Sequence, residues 1–302
     1  MQPAFDVDQL SRPEVIRNPY PYYDLLRDQS PIFGYRDYPP GTMPGVDDPK
    51  PSWVVLNFED VAAVAWDHES FSSRDSLQEE SSAPSLMLVN HDRPEHSRLR
   101  KIAAKAFQPS SIKSLAPQVD ALVAACMDDF FVADQPVDVM ADYCAMLPSR
   151  VMAHLFGMPA EMDRDVNNWA TAFMLSADIG PEERQAYNVE AMAFFDTHVK
   201  EQMDRIAQGK EIPGPLLDAF IRTEVDGDRL SFEEIVRFCM TVTVAGAETT
   251  SFYLGNLITV FADFPDIWRT FADDPGQFDA IYKEVLRFHG PPQRLFRVAT
   301  RD

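Results

Sequence analysis

VTVAGAETTSF, residues 242–252, is a helix-length apolar segment with a glycine, a glutamate and two threonines at its middle. Gly246 has a low helix propensity, and the β-branched Thr249 and Thr250 lose side-chain freedom in a helix. Glu248 needs a partner if it is buried, because an unpaired carboxylate is costly to remove from water. The segment therefore indicates a place where some other interaction offsets these costs.

A long helix is predicted around this segment, over residues 232–263. Ser231 and Glu234 form an S-x-x-E capping box before the apolar run, and Pro265 ends the helix. A helix of this length extends roughly 48 Å at ~1.5 Å per residue, which is enough to cross a whole domain. Its middle third is apolar or hydroxylic on nearly every side, a pattern typical of a helix buried all round.

The middle of this helix has two interpretations. In the simpler one, Ala245, Gly246 and Ala247 are small residues that let a second helix cross closely. In the functional one, Gly246 lets a flat ligand approach the backbone, and the Thr249 hydroxyl reaches the Ala245 carbonyl and opens the helix. Glu248 beside Thr249 then provides an acid and an alcohol that can relay protons to a bound reactive species. This order, A-G-x-E-T-T in mid-helix, resembles the oxygen-activation segment of cytochrome P450 enzymes.

A second segment, residues 90–109, is basic within an otherwise acidic chain. Asp92 and Glu95 are predicted to cap a helix here, and His96 and Arg100 share one face because they are four residues apart. A solvated cationic helix is one interpretation. The other comes from resemblance: D-x-P-E-H-x-x-x-R followed by A-F-x-P is similar to the family helix whose histidine and arginine bind a heme propionate. The cations of this basic island are Arg93, Arg98, Arg100, Lys101 and Lys105.

A third segment, residues 280–302, contains Glu284 and Arg287 three positions apart on a predicted helix. Such a pair alone is a weak signal, because i,i+3 ion pairs occur on many helices. Followed by a proline turn and R-V-A-T, it resembles the structural E-x-x-R helix of the family and the strand after it. The resemblance implies that Glu284 and Arg287 hold the fold, with a third partner from beyond residue 302, and that Arg297 reaches the second propionate.

The three segments occur in the family's order across essentially the whole chain, which is identified as a member of the cytochrome P450 family, of the soluble bacterial class. The resemblance implies a mainly α fold with a small β-sheet, in a single domain over residues 1–302 that lacks its C-terminal part. It implies heme b (iron protoporphyrin IX) as cofactor and a ferredoxin-type or flavin-containing electron donor, for which the outer face of the basic island suits an acidic partner. Its implied site residues are Glu248 and Thr249 for proton delivery, Ala245 and Gly246 for the oxygen groove, and His96, Arg100 and Arg297 for the heme propionates.

The family's heme-ligand loop, of the form F-x-x-G-x-x-x-C-x-G, is not found in these residues. The three cysteines, Cys126, Cys144 and Cys239, lie in helical apolar contexts typical of small core residues. The axial cysteine is therefore expected beyond residue 302. A truncated and catalytically inactive helical fragment that retains only the scaffold is the alternative to a heme-thiolate monooxygenase.

Substrate contacts are expected from apolar parts of the family's variable loops, so a hydrophobic small molecule is the expected substrate. The regions are 76–89, 171–179 and 292–296, together with the long helix. The residues chosen are Leu88, Val89, Phe173, Val242 and Leu295.

The net charge of −21 argues against nucleic acid as a partner, because phosphate backbones need a basic footprint. The first ten residues, MQPAFDVDQL, lack the pattern of a signal peptide, and the longest apolar run is too short to span a membrane. A cytoplasmic protein without a membrane partner is the expectation.

Outside these segments, the sequence predicts a short helix within residues 18–33, a strand over 52–58 and a helix over 59–71. From Asp92 onward the pattern is helical almost throughout, and the last residues, RLFRVATRD, begin a strand. The predicted helices in this part are 93–107, 112–132, 138–157, 161–175, 182–208, 214–223, 232–263, 266–272 and 276–289.

Overall fold

The structure is a computed structural model of the chain, and it describes residues 10, 12–29, 32–35, 52–74, 86–131, 136–173, 179–292 and 295–301. Helices form most of this part of the chain. They are α1 Pro13–Arg17, α2 Tyr20–Gln29, α3 Phe58–Trp66, α4 Glu95–Ala106, α5 Pro109–Phe131, α6 Met146–Phe156, α7 Asp163–Phe173, α8 Pro181–Ala207, α9 Pro215–Arg222, α10 Phe232–Asp263, α11 Pro265–Asp273 and α12 Phe278–Phe288.

Three small antiparallel sheets of two strands each accompany the helices in the described residues. The first pairs β1 with β2, the second pairs β3 with β6, and the third pairs β4 with β5. The strands are β1 Ile32–Tyr35, β2 Ser52–Val55, β3 Phe71–Ser72, β4 Glu224–Val225, β5 Asp228–Arg229 and β6 Val298–Ala299. The predicted fold class, mainly α with a small β component, is confirmed.

The long helix α10 runs over the predicted residues and has the predicted ends. The Ser231 hydroxyl accepts the Glu234 backbone N–H at 3.2 Å, and the Glu234 carboxylate accepts the Ser231 backbone N–H at 2.8 Å. At the other end, Phe264 donates its N–H to the carbonyl of Val260, and Pro265 opens α11. The capping box thus pairs the backbone N–H groups of Ser231 and Glu234, and the proline cannot continue the helix.

The core is built around the central part of α10, against which α6, α7 and α8 pack. Trp169 of α7, Phe156 of α6 and Phe195 of α8 are almost fully buried, and their rings meet edge to face. Burial of such rings supplies a large share of the apolar area removed from water. This packing fixes the position of α10 and so of the segment with which the sequence analysis began.

The prediction of one helix over 138–157 is wrong in detail. Residues Val139–Cys144 form a single π-helical turn, and α6 starts after it. The Asp138 carboxylate accepts the N–H groups of Met140 and Ala141, and the Ala145 N–H reaches back to the Met140 carbonyl. The wider turn follows from that five-residue hydrogen bond.

The sequence analysis did not predict the β4–β5 hairpin. Its turn residues, Asp226 and Gly227, have positive φ values of 56° and 81°. Asp-Gly is a strong signal for such a tight turn, but here it is flanked by strands of two residues only. Alternation of apolar and polar residues is not detectable over so short a distance.

None of the helices in the described part of the chain combines the length and apolarity needed to cross a bilayer.

Candidate functional site

An acid and an alcohol stand side by side in the middle of α10. The Thr249 hydroxyl donates a hydrogen bond of 2.6 Å to the carbonyl of Ala245, one turn earlier, as the sequence predicted. Ala245 is exposed and Thr249 is half-buried, so this side of the helix is open to solvent. A side-chain bond of this kind competes with the helix's own ladder and loosens it locally.

Glu248, the residue before Thr249, lies on the buried side of the helix. It is 7% exposed, and its Oε2 atom has no hydrogen-bond partner among the described residues. Burial raises the pKa of this carboxyl to about 8, although the nearby positive charge of Arg184 acts in the lowering direction. A carboxyl with such a pKa can both hold and release a proton near neutral pH.

Arg184, on the first turn of α8, was not predicted as a site residue from the sequence. It is 9% exposed, and its guanidinium donates a hydrogen bond to the carbonyl of Ala172 on α7. Burial lowers the pKa of Arg184, and the charge of Glu248 raises it. The sequence offers no signal for this role, because an arginine after two glutamates at a helix start is typical of a solvated turn.

Gly246 lies at the crossing of α10 and α6. A Cβ atom at this position would lie 2.7 Å from the sulfur of Met152, so the space left by the missing side chain is filled by α6. This contact supports the simpler of the two interpretations, close helix packing. The approach of a flat ligand to Gly246 remains a prediction.

The basic island on α4 divides into paired and unpaired cations. Lys101 pairs with Asp226, and Arg98 pairs with Asp228 and Glu234. For Arg93 and Arg100, which are both exposed, the described residues offer no carboxylate within 4.0 Å. The island is therefore a smaller free basic surface than its composition suggests.

Arg98 holds α4 against α10 and the β4–β5 hairpin. Its Nε donates to Asp228 Oδ2 at 2.6 Å and one Nη donates to Asp228 Oδ1 at 2.9 Å, while the other reaches Glu234 Oε1. These hydrogen bonds, with the Asp228 bonds contributing most, raise the pKa of the guanidinium. The two-pronged geometry is one that an arginine provides and a lysine does not.

Asp92 does not cap α4, contrary to the prediction. Pro94 occupies the cap position, where no side chain accepts a hydrogen bond from the helix. The carboxylate of Asp92 instead accepts the Ser72 hydroxyl and the Ser73 N–H, and its backbone carbonyl accepts the N–H of His96. His96 itself is half-buried on the first turn.

Arg297 lies directly before β6 and is exposed. Its guanidinium donates a hydrogen bond of 2.7 Å to the neighbouring Phe296 carbonyl. In the described part of the chain it makes no ion pair within 4.0 Å, which leaves its charge available. Its charge acts on Asp92 and lowers the pKa of that carboxyl.

Glu284 and Arg287 form a bidentate ion pair on α12. Arg287 Nε donates to Glu284 Oε2 at 2.8 Å, and Arg287 Nη2 donates to Glu284 Oε1 at 2.7 Å. The hydrogen bonds from Arg287 lower the pKa of Glu284, and the same pairing raises the pKa of Arg287. Both side chains are about two-thirds exposed. A third partner for this pair, from beyond residue 302, remains a prediction.

The three cysteines are buried thiols, as predicted for core residues. Cys126 is 3% exposed, and Cys144 and Cys239 are fully buried. Burial raises the pKa of each thiol, most of all that of Cys239, which lies on α10 inside the main core. A raised thiol pKa disfavours the thiolate that binds a metal.

The predicted substrate-contact residues lie on several elements. Phe173 at the end of α7 is buried and Val242 on α10 is half-buried, whereas Val89 and Leu295 are largely exposed. Leu88 is half-buried and has a positive φ of 67°, which is rare for a branched residue. Residues 76–85, 174–178 and 293–294 of the predicted regions lie outside the described residues.

Thr241 ties one predicted substrate segment to α10. Its hydroxyl accepts the backbone N–H of Met87 at 2.8 Å and donates to the Arg237 carbonyl at 2.9 Å. Leu88 follows Met87 directly, so this bond sets where Leu88 stands relative to the helix. In the described residues, no cluster of three or more histidine, cysteine or carboxylate side chains is arranged to hold a metal ion.

Comparison with known proteins gives one consistent answer. A sequence model of the cytochrome P450 family matches residues 163–271. A Mycobacterium bovis protein named as cytochrome P450 123 is 30% identical over 297 residues, covering 94% of this chain and 68% of that protein. Vitamin D(3) 25-hydroxylase of Pseudonocardia autotrophica is 29% identical and is covered over 65% of its length. The solved structure of cytochrome P450 CYP109Q5 from Chondromyces apiculatus is similar with a TM-score of 0.78 and 25% identity, and the match covers 96% of this chain and 70% of that one.

The chain spans about two thirds of the length of the curated relatives that it matches, with 69%, 66% and 65% covered in three of them.

Proposed function

The chain belongs to the cytochrome P450 family, and from this premise we propose that it acts in a heme-thiolate monooxygenase of the bacterial type. The family implies a heme cofactor. We propose that it is heme b, and that residues 1–302 form part of one domain. Bound heme would supply the activation of molecular oxygen, so that one oxygen atom enters an apolar substrate.

The described residues fit such a cofactor. Its two carboxylates need cations, and the exposed Arg100 and Arg297 make no ion pair with a described carboxylate, unlike Arg98 and Lys101 on the same island. Guanidinium groups bind carboxylates through two parallel hydrogen bonds. In the proposal, Arg100 and His96 bind one propionate and Arg297 binds the other.

The iron ligand is proposed to be a cysteine beyond residue 302. The three cysteines within the chain support this indirectly, because each is buried with its thiol pKa raised. Tight packing around Cys239 also leaves its sulfur no route to a cofactor without opening the core of α10.

The observation that carries the proposal is the pair on α10. The Thr249 hydroxyl is held at Ala245 on the open side of the helix, while the Glu248 carboxyl is buried with an unpartnered oxygen and a pKa of about 8. Two proton-carrying groups at adjacent positions, one on the exposed side of the helix and one inside, suit a relay from the protein interior to a bound substrate.

Arg184 extends this role. Its guanidinium stands between α7, through Ala172, and the Glu248 carboxyl on α10. A positive charge there stabilises the ionised form of Glu248 after a proton has left. We propose that Arg184 keeps the pKa of Glu248 low enough for proton exchange near neutral pH.

The electron donor is proposed to be a ferredoxin or a flavin-containing protein with an acidic face. Arg93, just before α4, and Lys105, on α4, are exposed cations for which the described residues offer no carboxylate within 4.0 Å. Complementary charge would accelerate the encounter and make it sensitive to salt. The substrate is proposed to be a hydrophobic small molecule that contacts Leu88, Val89, Phe173, Val242 and Leu295, and the protein is proposed to act in the cytoplasm.

The experiment is a turnover assay on the natural protein with the proposed cysteine ligand from beyond residue 302, loaded with heme and supplied with a ferredoxin, its reductase and NADPH. A panel of apolar compounds, including steroids, macrolides and fatty acids, is screened for oxygen-dependent hydroxylation. Formation of a hydroxylated product that requires both heme and the electron donors supports the proposal. A heme-loaded chain that consumes no NADPH and oxidises no compound contradicts it.

A further inference from the structure

The basic residues of the proposed heme site form two groups on different elements, far apart in the sequence. We call His96 and Arg100 the His96 arm, and Arg297 the Arg297 arm. His96 and Arg100 belong to α4, whereas Arg297 directly precedes β6. Two carboxylates on one rigid cofactor can be bound together only if the arms keep a fixed separation. Some part of the chain must therefore connect them.

On one side, β6 is connected to β3. Ser72 pairs with Val298, and the N–H of Thr300 donates to the carbonyl of Ser70 at 2.9 Å. Ser70 and Ser72 are both 7% exposed, so these bonds are shielded from water. The backbone next to Arg297 is thus fixed relative to β3.

On the other side, β3 is connected to α4 through Asp92. The Asp92 Oδ2 atom accepts a hydrogen bond from the Ser72 hydroxyl, and its Oδ1 atom accepts one of 2.8 Å from the Ser73 N–H. The backbone carbonyl of Asp92 accepts the N–H of His96 at 2.9 Å. Asp92 therefore bonds at once to the strand paired with the Arg297 arm and to the first turn of the His96 arm.

We infer that Asp92 is a positioning residue for the heme carboxylates, which sets the separation of His96 and Arg100 from Arg297 through its bonds to Ser72, Ser73 and His96. The inference rests on the proposed function, since it concerns the same site. Asp92 does not touch the cofactor in this account. It acts through the backbone of the two arms.

The ionisation of Asp92 is consistent with that role. Burial acts to raise its pKa, but the bonds from Ser72 and Ser73 and the charges of Arg74 and Arg297 outweigh burial, so the pKa lies below its ordinary value. The carboxylate is therefore ionised at neutral pH and accepts both bonds at full strength.

The test compares the affinity of the full natural protein for heme and for heme dimethyl ester, whose carboxylates are blocked, by titration of the Soret absorbance. Asp92→Ala is expected to weaken heme binding roughly tenfold, the equivalent of one charge-assisted hydrogen bond, and to leave ester binding unchanged. Asp92→Asn can keep both links, since its amide oxygen accepts the Ser73 N–H and its NH2 can donate to the Ser72 hydroxyl, so it is expected to bind heme nearly as the parent does. Ser72→Ala removes the same link from the strand side and replaces Asp92→Ala if that variant does not fold.

Asp138→Ala is the matched control, because the Asp138 carboxylate also accepts two backbone N–H groups, at 2.9 Å and 3.0 Å, in another part of the fold. It should not change heme affinity. Equal weakening of heme and ester binding by Asp92→Ala, or no weakening of either, would overturn the inference, as would an Asp92→Asn variant that binds as weakly as Asp92→Ala. If the parent chain itself binds heme no better than the ester, the proposed carboxylate anchoring fails instead, whatever the variants do.

Discussion

The hydroxyl of Thr249 donates a hydrogen bond of 2.6 Å to the carbonyl of Ala245, one turn earlier on α10. A carbonyl bonded in this way is drawn away from the helix ladder, which leaves room for water beside it. The neighbouring Glu248 carboxyl points into the protein. The pair thus places a hydroxyl on the solvent-exposed side of α10 next to a buried carboxyl.

Replacement of Thr249 tests the alcohol of this pair. Thr249→Ala is expected to slow product formation by up to about 10²-fold, the lower end of what a proton-transfer group contributes, and to divert electrons to peroxide. Thr249→Ser keeps the hydroxyl and serves as the control. The measurement is product and peroxide formed per NADPH consumed, and unchanged coupling in Thr249→Ala would remove Thr249 from the relay.

Replacement of Glu248 tests the acid through the pH dependence of stability. The pKa of Glu248 is raised from 4.5 to about 8, so between these values the folded chain holds a proton that the unfolded chain has lost. The free energy of unfolding therefore falls as pH rises through this window, by about 1.4 kcal/mol per pH unit. Glu248→Gln should remove this slope and be more stable than the parent at pH 8.

Urea denaturation at a series of pH values measures the effect, with the exposed Glu201→Gln on α8 as a control of equal charge change. A parent chain and a Glu248→Gln variant with parallel pH profiles would show that Glu248 titrates normally.

Arg184 is expected to limit how far the pKa of Glu248 rises. Its positive charge is the cause that lowers this pKa, against the burial that raises it. Arg184→Met should therefore extend the stability slope above pH 8, and adding Glu248→Gln should abolish the slope again. Arg184→Met also loses the hydrogen bond to the Ala172 carbonyl, but this loss lowers stability equally at every pH and so does not change the slope. A slope that ends at the same pH with and without Arg184 would argue that the two groups do not interact.

Gly246 is expected to matter for packing. An alanine Cβ there would lie 2.7 Å from the sulfur of the buried Met152, and overpacking of this kind costs about 1–3 kcal/mol against a gain of about 1 kcal/mol in helix propensity. Gly246→Ala should lower the free energy of unfolding, and it should cost less in a Met152→Ala background than in the parent, because the clash is then absent. Gly255→Ala is the matched control on α10, because the Met140 side chain that it meets is 37% exposed and can move away. A Gly246→Ala chain of parent stability that has lost heme affinity would favour contact with the cofactor instead.

The parts of the fold that the sequence predicts are those with strong local signals. The extent of α10 follows from its capping box and from Pro265. The strand predicted over 52–58 from its β-branched residues is present but ends at Val55, and α3 begins at Phe58. The π-helical turn before α6 and the hairpin at 224–229 were missed, because one depends on a single side chain, Asp138, and the other on strands of two residues.

The candidate site likewise contains features that one segment of sequence predicts and contacts that it does not. Glu248, Thr249 and the cations of α4 are recognisable from residue order, and the bond from Thr249 to Ala245 follows from their spacing. Arg184 and the bonds of Asp92 to Ser72 and Ser73 are contacts between segments far apart in the sequence. Pattern within one segment carries no information on such contacts, so only the assembled fold reveals them.

The central claim is that this chain belongs to an enzyme whose heme iron is bound by a thiolate from beyond residue 302. The most direct test is the carbon-monoxide difference spectrum of the reduced, heme-loaded full natural protein, compared with residues 1–302 alone. The account predicts a thiolate-type Soret band for the full protein and none for residues 1–302, because Cys126, Cys144 and Cys239 are buried with raised thiol pKa values. A band typical of a neutral ligand in the full protein, or a thiolate band from residues 1–302 alone, would contradict it.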